Sequence, residues 1–228
     1  MNFPCATEIP FAAFNGKYTG RSCHVVGRGP TDFDFEQLGK SSDPVFFIND
    51  AVCLEKHVQS DSFFFAHDPQ MLGWLDGRIK STAVLPIDGK IFAGSPAITL
   101  HHAGPIVFYH WNEPNREAQL KMTRDELAIA AELFTHTGTI HSLLHFVWYC
   151  GFTKVNLIGC DCINDTSKLA DQFQTPDGYD PRLENLSGSA SSHNYGSIGN
   201  AQNLLIMLFG LEAAYLGTPG RKLNGSGE

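Results

Sequence analysis

Near the end of this chain a run of small polar residues carries His193 and, two positions on, Tyr195. A histidine in such surroundings titrates close to neutrality and can take a proton from an attacking hydroxyl, so His193 is the candidate general base. Several polar signatures precede it, each closing an apolar run. Gly27-Arg28-Gly29-Pro30-Thr31 follows S-C-H-V-V, Asn49-Asp50 follows P-V-F-F-I, and His67-Asp68 follows D-S-F-F-F-A. Thr135-His136-Thr137-Gly138-Thr139 opens a fourth unit that ends in Gly159 and Asp161. Glycines after a strand let backbone N–H groups approach a phosphate, and hydroxyls with a glycine at a helix start offer an anion the positive end of the helix dipole. Polar residues at successive strand ends are what a ligand crevice beyond the carboxyl edge of a parallel sheet requires. Helix capping would explain Asp50 or Asp68 singly. Gly27, Gly29, Pro30, Thr31, Asn49, Asp50, Asp68, Thr137, Gly138, Thr139 and Asp161 are the candidate ligand contacts.

The elements that must hold these residues follow from periodicity. Ile140, Leu143, Leu144, Val147 and Trp148 recur at helical spacing, Gly151 is placed to end that helix, and Val155–Ile158 read as a buried strand. Strands are predicted over 22–26, 44–48, 61–66, 80–86 and 105–109, with short helices over 32–38 and 51–59. Thr123 and Glu126 form a capping box, which predicts a helix running to about Phe134. A last amphipathic helix is predicted from Ile198 to Leu216. Alternating strands and helices imply a three-layer α/β domain with a mostly parallel sheet. Residues 1–20 read as an irregular leader, 21–217 as one domain and 218–228 as a flexible tail. Residues 162–196 are rich in Asp, Asn, Ser, Gly and Pro without a period, which suits a lid-like binding loop.

Composition narrows the partners. The 228 residues carry 43% hydrophobic and 18% charged side chains, as a soluble globular chain does. A net charge of −8 and the lack of a long basic run argue against nucleic acid. No apolar stretch reaches the roughly 20 residues that span a bilayer. Six scattered cysteines suggest reduced thiols and a cytoplasmic setting. Oligomeric state is left open.

Familiar catalytic motifs are missing or incomplete. His141 and His145 have metalloprotease spacing, but Ser142 stands where the general-base glutamate belongs, so both read as core or boundary histidines. Asp32-Phe33-Asp34 falls in a predicted helix, not at a strand end, and no Walker loop or G-x-S-x-G elbow occurs. No metal site is therefore expected, and Asp32 replaces the third glycine of a dinucleotide fingerprint.

In order and spacing, G-R-G-P-T, F-I-N-D, T-H-T-G-T, G-F-T-K-V-N-L-I-G-C-D and H-N-Y resemble the motifs of bacterial lipooligosaccharide sialyltransferases and the related motility-associated flagellin glycosyltransferases. The resemblance spans roughly residues 22–215. It implies a Rossmann-like fold and metal-independent transfer of sialic acid or a similar sugar from a CMP-type donor to a glycan or protein acceptor. It also implies that Gly27, Gly29 and Thr31 approach the donor phosphate, that Asn49 and Thr137-Gly138-Thr139 hold phosphate or ribose, and that His193 is the base. The donor is a substrate, and no cofactor is implied. Two other readings stay open: an ATP- and magnesium-dependent enzyme like the 6-hydroxymethylpterin pyrophosphokinases, and a non-catalytic nucleotide-binding protein of the same fold.

Overall fold

The computed structural model describes residues 6–27, 29, 31–67, 71, 74–75, 77–86, 101–112, 132–134, 138–160 and 195–217. Within them the chain builds a parallel sheet of β1 (Ser22–Val26), β2 (Val45–Ile48), β3 (Ser62–Phe65), β4 (Thr82–Pro86), β5 (Ile106–Asn112), β7 (Lys154–Ile158) and β8 (Glu212–Leu216). A three-residue strand, β6 (Glu132–Phe134), extends it beside β5. The order is β6-β5-β4-β3-β2-β1-β7-β8, and every pairing is parallel. The architecture is Rossmann-like α/β, as the alternation of elements implied.

Continuous apolar runs make the inner strands, because a parallel sheet is covered on both faces. Alternate residues of one strand therefore serve different cores. Phe46, Phe63, Phe65, Val84 and Val107 face helix α1 (Thr139–Tyr149) and helix α2 (Tyr195–Phe209). Phe47, Phe64, Ala83, Leu85 and Ile106 face a second core with Leu54, Trp74 and Leu75. Aromatic packing dominates the first core: Phe46 stacks on Phe63 at 4.5 Å and meets Phe146 of α1 edge-on at 6.2 Å. Burying each such ring contributes on the order of 1.5–3 kcal/mol. The stretch before β1 belongs to the same core, with Phe14 and Tyr18 buried against Phe63.

Both α-helices among the described residues end alike. Gly151 adopts φ +88°, its N–H donates to Trp148, and the Phe152 N–H reaches back to Val147. Gly210 adopts φ +63°, its N–H donates to Met207, and the Leu211 N–H reaches back to Ile206. These paired bonds form the left-handed glycine cap that reverses a helix into a strand.

Three sequence expectations change. The final helix stops at Phe209, and residues that continue its period form β8 on the sheet edge. The helix expected to reach Phe134 gives way at its end to β6, and its earlier part lies outside the described residues. The two short helices after β1 and β2 are 3-10 turns, at Phe35–Lys40 and Asn49–His57. The lid-like segment and the tail after Gly217 lie outside the described residues. Among the described residues, no helix is long and apolar enough to cross a membrane.

Candidate functional site

Strand order reverses between β1 and β7. From β1 the chain winds outward through β2 to β6, then returns to place β7 on the opposite flank of β1. In open parallel α/β sheets a ligand crevice lies beyond the carboxyl ends of the strands at such a reversal. Helices α1 and α2 each precede a parallel strand, so both begin at that carboxyl edge.

The glycine turn after β1 does not present all of its amides to this crevice. The Gly27 N–H donates to Ile158 O at 2.8 Å, and the Gly29 N–H donates to Gly159 O at 2.7 Å. Gly159 adopts φ +61°, and a Cβ there would lie 2.7 Å from Gly29 O. A Cβ on Gly27 would lie 2.6 Å from Gly159 O. Close backbone approach between two strand ends thus accounts for these glycines, and the Gly27 and Gly29 amides are engaged within the protein. Thr31 is buried and its hydroxyl donates to Gly217 O at 3.1 Å while accepting from the Phe33 N–H. That hydroxyl ties the turn to the end of β8.

Other candidates sit differently. Asn49, directly after β2, has φ +55° and is the non-glycine residue with positive φ among the described residues. Asparagine tolerates this region better than most residues, and such conformations cluster at functional positions. Its Oδ1 is buried without a hydrogen-bond partner. Asp50 is buried, with only 1% of its surface exposed, in the first turn of the Asn49–His57 3-10 helix. Gly138 occupies the N-cap of α1 with no side-chain cap bond, and Thr139 is the first helical residue. First-turn amides of α1 therefore lack a capping side chain at the carboxyl edge. Pro30, Asp68, Thr137, Asp161 and His193 lie outside the described residues. Helix α2 opens two residues after His193, at Tyr195.

Near the reversal the structure also places Gln202, which the sequence reading passed over. Gln202 on α2, 1% exposed, donates from Nε2 to Cys160 O at 3.0 Å and contacts the Tyr215 hydroxyl at 2.9 Å. It links α2 to the ends of β7 and β8; an i, i+4 count on the helix would have placed it beside Ile206 but could not show its partner. His67 is the first polar residue after β3, and its ring lies 6.2 Å from that of Tyr109 on β5. Burial and the adjacent His141 push the His67 pKa down to about 3, so its imidazole is neutral at physiological pH. His141 and His145 are both buried on α1, as their core reading implied, and His145 stacks on Phe209 at 5.3 Å.

At the opposite, amino-terminal edge of β1–β3 lies a shallow polar groove lined by Arg21, Lys40, Ser41, Ser42, Ser60 and Asp61. It is remote from the strand-order reversal. Among the described residues no group of three or more His, Cys, Asp or Glu side chains could hold a metal ion. No family model matches this chain, and no curated protein matches it by sequence.

Proposed function

We propose that the chain is a sialyltransferase-like glycosyltransferase. It would transfer sialic acid or a similar nonulosonate from a CMP-type donor to a glycan or protein acceptor, without a metal, with His193 as general base. The observation that carries this reading is the strand-order reversal at β1/β7, with Asn49 and the start of α1 brought to the same carboxyl edge. The buried, unpartnered Oδ1 of Asn49 supplies an acceptor for a ribose or sugar hydroxyl. The uncapped first turn of α1 supplies amides and a dipole for the donor phosphate. This assignment shifts the phosphate from Gly27 and Gly29, whose amides are engaged, towards α1. His193 would deprotonate the acceptor hydroxyl as it attacks the sugar's anomeric carbon. The bond from that carbon to the phosphate oxygen breaks, CMP leaves with the electron pair, and the acceptor proton passes to the imidazole.

Calorimetry with CMP, UDP, GDP and ATP, each with and without magnesium, tests the nucleotide. Metal-independent binding of CMP in preference to the others is expected. Magnesium-dependent ATP binding with no response to CMP would overturn the reading. His193→Ala should then abolish transfer from a CMP-sugar and leave CMP affinity within about twofold, since a base acts on the acceptor. Equal loss of binding and turnover would remove His193 from that role.

A further inference from the structure

The polar groove at the other end of the sheet, where β1, β2 and β3 begin, is built as a site. Its volume of about 430 Å³ falls within the roughly 300–1,000 Å³ of small-molecule sites. One wall is the chain leaving the Phe35–Lys40 turn, and the other is the stretch before β3. Internal contacts hold both walls in place. Gly39 approaches the end of the Asn49–His57 turn so closely that a Cβ on it would lie 2.7 Å from His57 O. The Ser60 hydroxyl donates to Asp43 O at 2.7 Å, and the Asp43 N–H donates to Ser41 Oγ at 3.1 Å. Ser41 Oγ also meets Nε2 of the buried His24 at 3.1 Å. Arg21 Nη2 donates to Ser42 O at 2.9 Å, and the Tyr18 hydroxyl donates to Asp61 Oδ2 at 2.7 Å.

The groups left over define what the groove can hold. The Lys40 ammonium, the Ser42 hydroxyl and the Gln59 amide have no protein hydrogen bond or ion pair among the described residues. Arg21 keeps guanidinium N–H groups beyond the one given to Ser42, and among the described residues it has no carboxylate partner. Two unpaired positive charges thus share one groove on a chain whose net charge is −8. Together they match the charge of about −2 on a phosphate monoester, and a guanidinium fork beside an ammonium suits its oxygens. Asp61 keeps Oδ1 as an acceptor. A carboxylate repels a bare anion but accepts from a hydroxyl, so it favours a phosphate carried on a hydroxylated body. Phosphate alone would fill only a small part of this volume, whereas a sugar ring brings hydroxyls to Asp61, Gln59 and Ser42.

We propose that this groove binds a phosphorylated sugar, with the phosphate between Arg21 and Lys40 and the hydroxyls on Asp61 and Gln59. Strand β1 has five residues at about 3.3 Å each, so the groove stands about 16 Å from the carboxyl edge. It is a second site, separate from the β1/β7 reversal, and it does not depend on the glycosyltransferase reading.

The test is titration of the full chain with glucose 6-phosphate, glucose and inorganic phosphate at constant ionic strength, followed by amide NMR shifts. Lys40→Ala and Lys154→Ala are titrated alongside. Lys154 is an exposed lysine paired with Glu212, so its loss changes the net charge equally and costs little stability. Saturable shifts with glucose 6-phosphate are expected at residues 21, 39–42 and 59–61, a location read on the original chain without any variant. Affinity should fall about fivefold or more in Lys40→Ala, through loss of a charge-assisted contact, and stay within about twofold in Lys154→Ala. Glucose and inorganic phosphate should each bind about fivefold or more weakly than the ester, since each carries half of the contacts. The absence of saturable shifts, shifts located elsewhere, or equal affinity in Lys40→Ala and the original chain would overturn the site. Inorganic phosphate that binds as tightly as glucose 6-phosphate would overturn the sugar phosphate as its ligand.

Discussion

Gly29 donates its backbone N–H to the carbonyl of Gly159 at 2.7 Å, locking the turn after β1 onto the end of β7. The two glycines meet where strand order reverses, so the contact sets the shape of the crevice mouth as well as its stability.

Replacing Gly159 should be costly for two separable reasons. A left-handed alanine costs roughly 1–2 kcal/mol, and a Cβ at this position would also strike Gly29 O. Gly20→Ala isolates the first term, because Gly20 has φ +77° and nothing within 4 Å of an added Cβ. Urea unfolding should therefore show Gly159→Ala losing about 1 kcal/mol or more beyond Gly20→Ala. Equal losses would mean that the strand ends move apart freely.

Asn49→Gly separates function from fold. Glycine accepts φ +55° without a Cβ penalty, and the change removes a buried oxygen that has no partner. Stability within about 1 kcal/mol of the original chain is expected. CMP affinity should fall about fivefold or more if the side chain contacts ligand. Unchanged affinity would take Asn49 out of the site.

Acid sensitivity follows from His67. Its folded pKa of about 3 lies below the ordinary histidine value near 6.5. Between those values the unfolded chain binds a proton that the folded chain does not, so stability falls as pH drops from about 6.5 towards 3. One such proton contributes a slope of up to about 1.4 kcal/mol per pH unit. Burial also lowers the His24 and His102 pKa values, which adds in the same direction. Denaturation of His67→Gln at pH 7 and pH 5 should show a shallower acid loss than the original chain. Identical losses in the two proteins would refute the assignment.

Glu55 fastens the start of β4. Its carboxylate accepts from the Lys80 N–H at 2.8 Å, the Ser81 N–H at 2.8 Å and the Ser81 hydroxyl. Glu55→Ala should cost about 2–3 kcal/mol, since hydrogen bonds to a charged group are worth more than neutral ones. Glu55→Gln should recover part of that by accepting through one oxygen. Amide exchange at Lys80 and Ser81 is the direct readout, and unchanged protection in Glu55→Ala would show that the start of β4 is held by other contacts.

Much of the scaffold was legible because its inner strands are buried on both faces. Such strands read as unbroken apolar runs, and β1 matches its predicted span residue for residue. The α1–Gly151–β7 unit was legible for the same reason, with a glycine where the helical period stops. Its twin, α2–Gly210–β8, was not. Leu211 and Tyr215 continue the helical series of Leu204 and Leu208, and one glycine inside a helix costs only about 1 kcal/mol, so periodicity outweighed the stop signal. At β6, strong helix formers yield to pairing with β5, a tertiary effect that local propensity does not contain. The polar strand ends were visible as composition. What stayed hidden was the use of each group: that the Gly29 amide faces inward, that the Thr31 hydroxyl is engaged, and that Tyr109 lies near His67. These are consequences of register between strands far apart in the chain.

The placement of β1 between β2 and β7 also governs how the chain comes off the ribosome. While β2 to β5 emerge, one whole edge of β1 lacks its partner, because residues 154–158 are made much later. The early sheet must carry an open row of amides and carbonyls for much of synthesis, and such edges invite pairing with other chains. Arrival of β7 closes that edge and brings Gly159 to Gly29 in the same step. Closure of the open β1 edge and formation of the Gly29–Gly159 contact are thus one late event, with β8 still to pair on the far side of β7.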